Sequence, residues 1–322
     1  MTAPRLAALV LDGAAPEHLA AISRGALDRP MVASAELLVA VPTGAAVLLG
    51  AFQRPCELEG SAHAKGAHLE RGSGGAALSV GEGTVWVQLL LASADALVPC
   101  TPDRMINRHV RPLLGAVTGR TGVMRYYDRD WLSLASRPVG AVGMAHDASS
   151  GRALFEAFIA CTAPCFVDPA RASLRGRAPA TLADLGAAPA NPRELAARVL
   201  ERFVASYGPT AGTFELPAVD DGGRAPAEAA RGPWTHEGRD AIGRVAAARD
   251  EDGAVRVGGE WLASRDGVAA LEAALAERAG PLSVEDARDL AARSLAVEPR
   301  VVMGLASLDV LADVISRATA TR

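Results

Sequence analysis

With 322 residues, half of them apolar, the chain can bury one sizeable core and a smaller second one. A formal net charge of −4 gives no basic footprint and argues against nucleic acid as a partner, and no run approaches the roughly 18 apolar residues of a membrane span. Of 33 basic residues only Lys65 is a lysine, so arginine stands wherever either cation serves.

The first apolar run, 6–11, is too short for the core of a secretion signal. Cys56, Cys100, Cys161 and Cys165 are therefore expected as reduced thiols in a soluble, cytoplasmic protein. Residues 16–27 read as a short helix, with His18, Leu19, Ile22 and Leu27 near one face. The apolar runs 35–40 and 45–52, split by Val41-Pro42-Thr43-Gly44, predict a hairpin of strands that Gln53 closes. From 54 to 68 the chain is polar. His63 and His68 flank Lys65 there, but a His-x4-His pair without a third ligand suits a solvated loop better than a metal site.

The stretch Leu69-Glu70-Arg71-Gly72-Ser73-Gly74-Gly75-Ala76-Ala77-Leu78 is the most informative in the chain. Three glycines and a serine in four residues leave backbone N–H groups uncovered, which suits the reception of an anion or a carboxyl group; the same composition also suits a flexible hairpin loop. Its flanks are 46–53, ending Gly50-Ala51-Phe52-Gln53, and the strand-like run 84–91. Together the three pieces resemble the lipoate-protein ligase, octanoyltransferase and biotin-protein ligase superfamily, whose order is a strand ending Gly-x-x-Gln, a loop Arg-Arg-x-Ser-Gly-Gly-Gly-Ala-Val, and a strand. Here Glu70 replaces the first Arg and Ala76 the third Gly.

Residues 102–120 fit an amphipathic helix through Met105, Val110, Leu113, Leu114 and Val117, with Asn107-Arg108 resembling the family's Asn-Arg. Two strand-like runs follow within 122–134, about a turn resembling the family's Gly-Arg-Asn-Asp segment, in which Asp130 transfers. Ser136-Arg137-Pro138-Val139-Gly140-Ala141-Val142-Gly143 resembles the strand bearing the family's central lysine, and matching its small and branched residues puts Pro138 at that place. Shifted by one, Arg137 would stand there: it could neutralise a carboxylate or phosphate, but it could not act as a base. Either register leaves room for a catalytically degenerate protein.

Pro164-Cys165 followed by Ala172-Ser173-Leu174 is similar to the acyl-cysteine motif of octanoyltransferases, with Phe166 and Val167 departing from it. A reactive Cys165 needs a positive neighbour such as Arg137 to lower its pKa; the alternative is a small buried hydrophobe. His146 and Asp147 suit either a surface turn or a base at the edge of the site. Residues 175–185 resemble the passage ahead of the family's last catalytic-domain helix. That helix is predicted from Asn191 at its N-cap, Pro192 and Glu194 to Gly208. A linker follows, at 216–233, and then a module of two paired strands (243–250 and 254–262, joined by Asp252-Gly253) and two helices, capped by Asp266 and by Ser283 with Asp286. This module resembles the accessory domain of lipoate-protein ligases.

The resemblance implies an α+β fold: a class II synthetase-like mixed sheet flanked by helices over 1–215, then a small α+β domain over 234–322. It implies an enzyme that places a lipoyl, octanoyl or related acyl group on a lysine of a lipoyl-type carrier domain, using ATP and Mg if a ligase and no cofactor if a transferase. The alternative is a degenerate relative that binds acyl ligand or carrier without turnover. The implied catalytic residues are Cys165 and Arg137; the implied ligand-binding residues are Arg71, Ser73, Gly74, Gly75, Ala76, Gln53, Asp130, Val139 and Gly140, with the turn's amides facing a cavity floored by the strand that starts at Val139.

Overall fold

A computed structural model describes residues 6–58, 68–119, 122–127, 130–169, 172–216, 232–241, 243–278 and 280–321. In chain order the first part comprises β1 (Leu6–Ala14), α1 (Pro16–Gly25), β2 (Ala35–Pro42), β3 (Ala46–Leu49), β4 (His68–Glu70), β5 (Leu78–Val80), β6 (Thr84–Leu91), α2 (Met105–Ala116), β7 (Thr118–Gly119), β8 (Gly122–Val123), β9 (Arg125–Tyr127), β10 (Trp131–Leu134), β11 (Arg137–His146), β12 (Ala153–Ala160), β13 (Ala187–Ala188) and α3 (Pro192–Tyr207). The second part comprises β14 (His236–Arg239), β15 (Arg244–Arg249), β16 (Val255–Gly259), β17 (Leu262–Ala263), α4 (Arg265–Ala276), α5 (Val284–Leu295), β18 (Val302–Met303) and α6 (Asp309–Ala320).

A seven-stranded sheet in the order β1-β2-β6-β12-β11-β10-β9 carries the first part. Only β1 and β2 run parallel; the other pairings are antiparallel, as expected for a mixed sheet. The central strands β2, β6 and β12 are buried along their whole length. Alternation sends Leu37, Val39, Val87, Phe155 and Ile159 to one face, against Val110 and Leu113 of α2 and Val199 and Phe203 of α3. It sends Leu38, Ala40, Trp86 and Phe158 to the other, against Leu19 and Ile22 of α1 and Leu48, Leu69 and Leu78 of a small β4-β3-β5 sheet.

The expected hairpin of 35–40 with 45–52 is corrected. β2 pairs with β1 and β6, while β3 pairs with β4 and β5 in another layer. A strand apolar on both faces is drawn to the middle of the large sheet, and Gly44, at φ 72°, turns the chain out of it. The predicted helices form at α1, α2 and α3, with Asn191 accepting from the Arg193 and Glu194 amides. Residues 125–127 and 131–134 pair as β9 and β10.

In the second part β14-β15-β16 forms a sheet whose apolar face, with Trp261, packs on α4, α5 and α6. Ser283 caps α5 as predicted, whereas α4 starts after Ser264 and Asp266 is turned to other partners. Neither β1 nor α6 is foreseen by sequence patterning. Most of the predicted linker lies outside the described residues, as do His63 and Lys65. Among the described residues no helix is long and apolar enough to cross a membrane.

Candidate functional site

The Gly-rich turn joins β4 to β5 and is organised by Arg71, which is 1% exposed. Its guanidinium donates through Nε to Ser73 Oγ (3.0 Å), through Nη1 to Leu48 O (3.3 Å), and through Nη2 to Gly74 O (3.0 Å) and Ala76 O (2.9 Å). It also lies over the Phe158 ring, 5.3 Å from the centroid. Burial lowers its pKa to about 10, with Glu156 and Asp130 opposing, so it stays charged at neutral pH. A rigid fork of donors folded back onto the carbonyls of its own loop shapes that loop from inside.

Beneath it Glu156, fully buried in β12, accepts from Trp86 Nε1 at 2.7 Å. Burial raises the Glu156 carboxyl, while Arg71, Ser73, Trp86 and Ser23 pull the other way. Asp130, 3% exposed and at φ 66°, acts on Arg71 electrostatically. Its Oδ2 stands 3.7 Å from where a Cβ on Gly75 would be, and Gly75 itself, at φ 105°, holds a conformation that side chains resist. Gln53 Oε1 accepts from the Gly50 amide and its Nε2 donates to Glu57 Oε2, each at 2.9 Å. The structure thus gathers Gln53, Arg71, Ser73, Gly74, Gly75, Ala76 and Asp130 about one turn.

Two of the turn's amides, those of Gly72 and Gly74, are engaged. Gly72 N–H donates to Ser23 Oγ at 2.8 Å, and Gly74 N–H donates to Met144 O at 2.9 Å. The floor is therefore the Gly143–Met144 end of β11, in contact: a Cβ on Gly143 would lie 2.5 Å from Ser73 Oγ. Val139 instead faces the helix-side core, and Gly140 is backed by Phe158, Ile159 and Leu132. Arg137 begins β11, about 20 Å along the strand from Gly143. Its guanidinium donates to Ala178 O and Pro179 O, both at 2.8 Å. Pro138 is buried. Cys165 sits beside β5, fully buried among Leu78, Phe158 and Phe166, and burial pushes its thiol up to about 12. Neither Arg137 nor Cys165 hydrogen-bonds the turn through its side chain.

What presses on the turn's outer side comes from the second part of the chain. A Cβ on Gly74 would lie 2.5 Å from Trp261 O, and one on Gly75 3.6 Å from Leu262 Cδ2. Trp261 stacks obliquely on Phe52, with centroids 5.5 Å apart, and Gly259 N–H donates to Phe52 O at 2.7 Å. Leu262 joins the core of the large sheet. Alongside, Arg54 lies 3.8 Å over the Trp234 ring and donates to Asp250 at 2.9 Å, while Trp234 Nε1 donates to Glu57 at 2.8 Å. His146, a candidate edge base in the sequence, is 2% exposed. Its Nδ1 is 2.9 Å from Ser264 Oγ, and burial lowers its pKa. Asn107 stands on the exposed face of α2.

Sequence reasoning missed Glu156, Trp86, Trp261 and Leu262. Glu156 had a legible signal, a lone carboxylate inside the apolar run 153–160; the contacts of Trp261 and Leu262 with a turn nearly 190 residues earlier had none.

A ligase's nucleotide asks for unengaged cations and amides beside the turn, and for carboxylates to hold Mg. Arg71, Gly72 N and Gly74 N are already engaged. Groups engaged in this way do not fit a nucleotide phosphate.

No protein-family model matches the sequence, and no curated protein does. Solved structures do match. LipL1 of P. falciparum, in complex with lipoate, superposes with a TM-score of 0.60 at 10% identity, covering 91% of this chain and 95% of its own. Lipoate-protein ligase A bound with ATP gives 0.47 at 13% identity, over 69% of this chain and 91% of its own. A bi-partite lipoate protein ligase of Thermoplasma acidophilum, studied with its E2 lipoyl domain, gives 0.46 at 12%, over 67% and 89%. The LipL1 match extends over both parts of the chain, which shows that this protein has the fold of a lipoate-protein ligase.

Proposed function

We propose that this protein handles lipoyl-type acyl groups at the lysine of a carrier domain, as a lipoate- or octanoate-ligase or acyltransferase-like enzyme. The observation supporting this is the convergence of Gln53, Arg71, Ser73, Gly74, Gly75 and Asp130 about one Gly-rich turn, in a chain with the fold of LipL1. A turn pinned this firmly holds its backbone in one geometry, which is what orienting an acyl carboxyl or thioester requires. Access to Gly74 and Gly75 requires Leu262 and the Trp261 carbonyl to withdraw.

A second reading, recognition without turnover, is favoured by β11. By resemblance Pro138, or Arg137 in the shifted register, takes the lysine's place; Arg137 is tied to Ala178 and Pro179, and Cys165 is held as a thiol. Intact-mass spectrometry of a lipoyl-type carrier domain after incubation with the full chain tests both. The two donors to supply are octanoyl thioester and octanoate with ATP·Mg. An acyl mass on the carrier lysine from either donor supports the enzyme; carrier binding without mass gain supports the second reading; absence of both discards the proposal.

A further inference from the structure

We infer that the Gly-rich turn of this chain takes no nucleotide and is instead an internal socket for the Trp261–Leu262 segment. The inference deepens the proposed function and rests on it in taking the turn as the acyl-facing part of the site.

Three independent features support it. First, the cation inside the turn is used up: Arg71 makes four hydrogen bonds to Ser73, Leu48, Gly74 and Ala76 and is 1% exposed. A phosphate would have to take these donors away and leave buried carbonyl oxygens unpaired. Second, an anion nest needs amides that point outward. Those of Gly72 and Gly74 point into the protein, to Ser23 Oγ and Met144 O. Third, the outer wall is occupied. With the Trp261 carbonyl where a methyl on Gly74 would go, and Leu262 against Gly75, the glycines admit a close-packed strand. Leu262 is 3% exposed and belongs to the core of the other part of the chain, as a plug would. The Gly259–Phe52 hydrogen bond and the Phe52–Trp261 ring pair hold the segment in register.

The glycines therefore serve chain-to-chain approach, and an acyl group handled by this protein would have to arrive already activated.

Two measurements on the full chain test the inference. Calorimetric titration with ATP·Mg, in the presence of octanoate, is expected to show no saturable binding up to about 1 mM, an affinity floor of roughly −4 kcal/mol. Hydrogen exchange of the Gly259 amide is expected to quicken by at least about tenfold in Gly74→Ala, where the methyl meets Trp261 O, and in Leu262→Ala, which keeps the backbone and serves if the first variant folds poorly. Saturable ATP·Mg binding, pyrophosphate release, or unchanged Gly259 exchange in both variants would overturn it. Octanoyl transfer from a thioester to a carrier lysine without ATP keeps the proposed function whatever the nucleotide result, whereas absence of both transfer and carrier binding, with no ATP binding, removes the proposed function and leaves the socket.

Discussion

Arg71 Nη2 lies 3.0 Å from the carbonyl oxygen of Gly74, three residues along the same turn, so the cation that the sequence offers to a ligand is closed onto its own backbone. Replacing it with Met should leave the carbonyls of Leu48, Gly74 and Ala76 without their donor and Glu156 without its counter-charge. A loss of about 3–5 kcal/mol in urea unfolding is expected, the usual consequence of removing one partner from a buried charged network. Arg71→Lys should recover only part of it, because an ammonium cannot reproduce the fork.

Cys165 and Cys161 are fully buried, with thiols pushed up to about 12. In the native chain at pH 8 both should resist iodoacetamide by at least ~100-fold relative to the urea-unfolded chain, since the thiolate is the attacking species. Peptide mapping after timed alkylation checks this. Rapid native labelling of Cys165 would favour its reading as the nucleophile.

His109, fully buried with Nδ1 3.0 Å from the Tyr207 hydroxyl, has its pKa lowered by burial to about 4 from an ordinary 6.5. Because the folded value is the lower one, its contribution is intact above pH 6.5 and lost as pH falls towards 4. That amounts to about 3 kcal/mol at 1.36 kcal/mol per unit. His109→Asn should flatten the acid limb of the stability profile by a similar amount, measured by urea midpoints between pH 7 and 4. Parallel profiles would contradict the assignment.

Arg54 joins the two parts of the chain by stacking on Trp234 and bonding Asp250, and it is 4% exposed. Arg54→Ala should cost about 2–4 kcal/mol, as for other broken buried ion pairs with a cation–π partner. It should also split a single calorimetric unfolding transition into two as the parts uncouple.

Much of this was legible in the sequence where the signal is local. Asn191, Pro192 and Glu194 announce α3, and Ser283 announces the start of α5. The Gly50-x-x-Gln53 and Arg71–Ala76 motifs predict a resemblance that the fold supports. What failed needed tertiary information. The pairing of β2 with β6 instead of β3 is decided by burial on both faces, which short apolar runs do not encode. The amides of Gly72 and Gly74 read as bare because their partners, Ser23 and Met144, lie about 50 and 70 residues away. Arg137 read as available because nothing local shows its bonds to Ala178 and Pro179.

Acyl handling at a carrier lysine is tested most directly by intact-mass spectrometry of a lipoyl-type carrier domain, and of the same domain with its acceptor lysine replaced by arginine, after each is incubated with the full chain and octanoyl thioester. A gain of one octanoyl group on the lysine form, at least about tenfold above the rate without the protein, and none on the arginine form are expected. No gain on the lysine form above that background, together with no binding of it, would contradict the proposal.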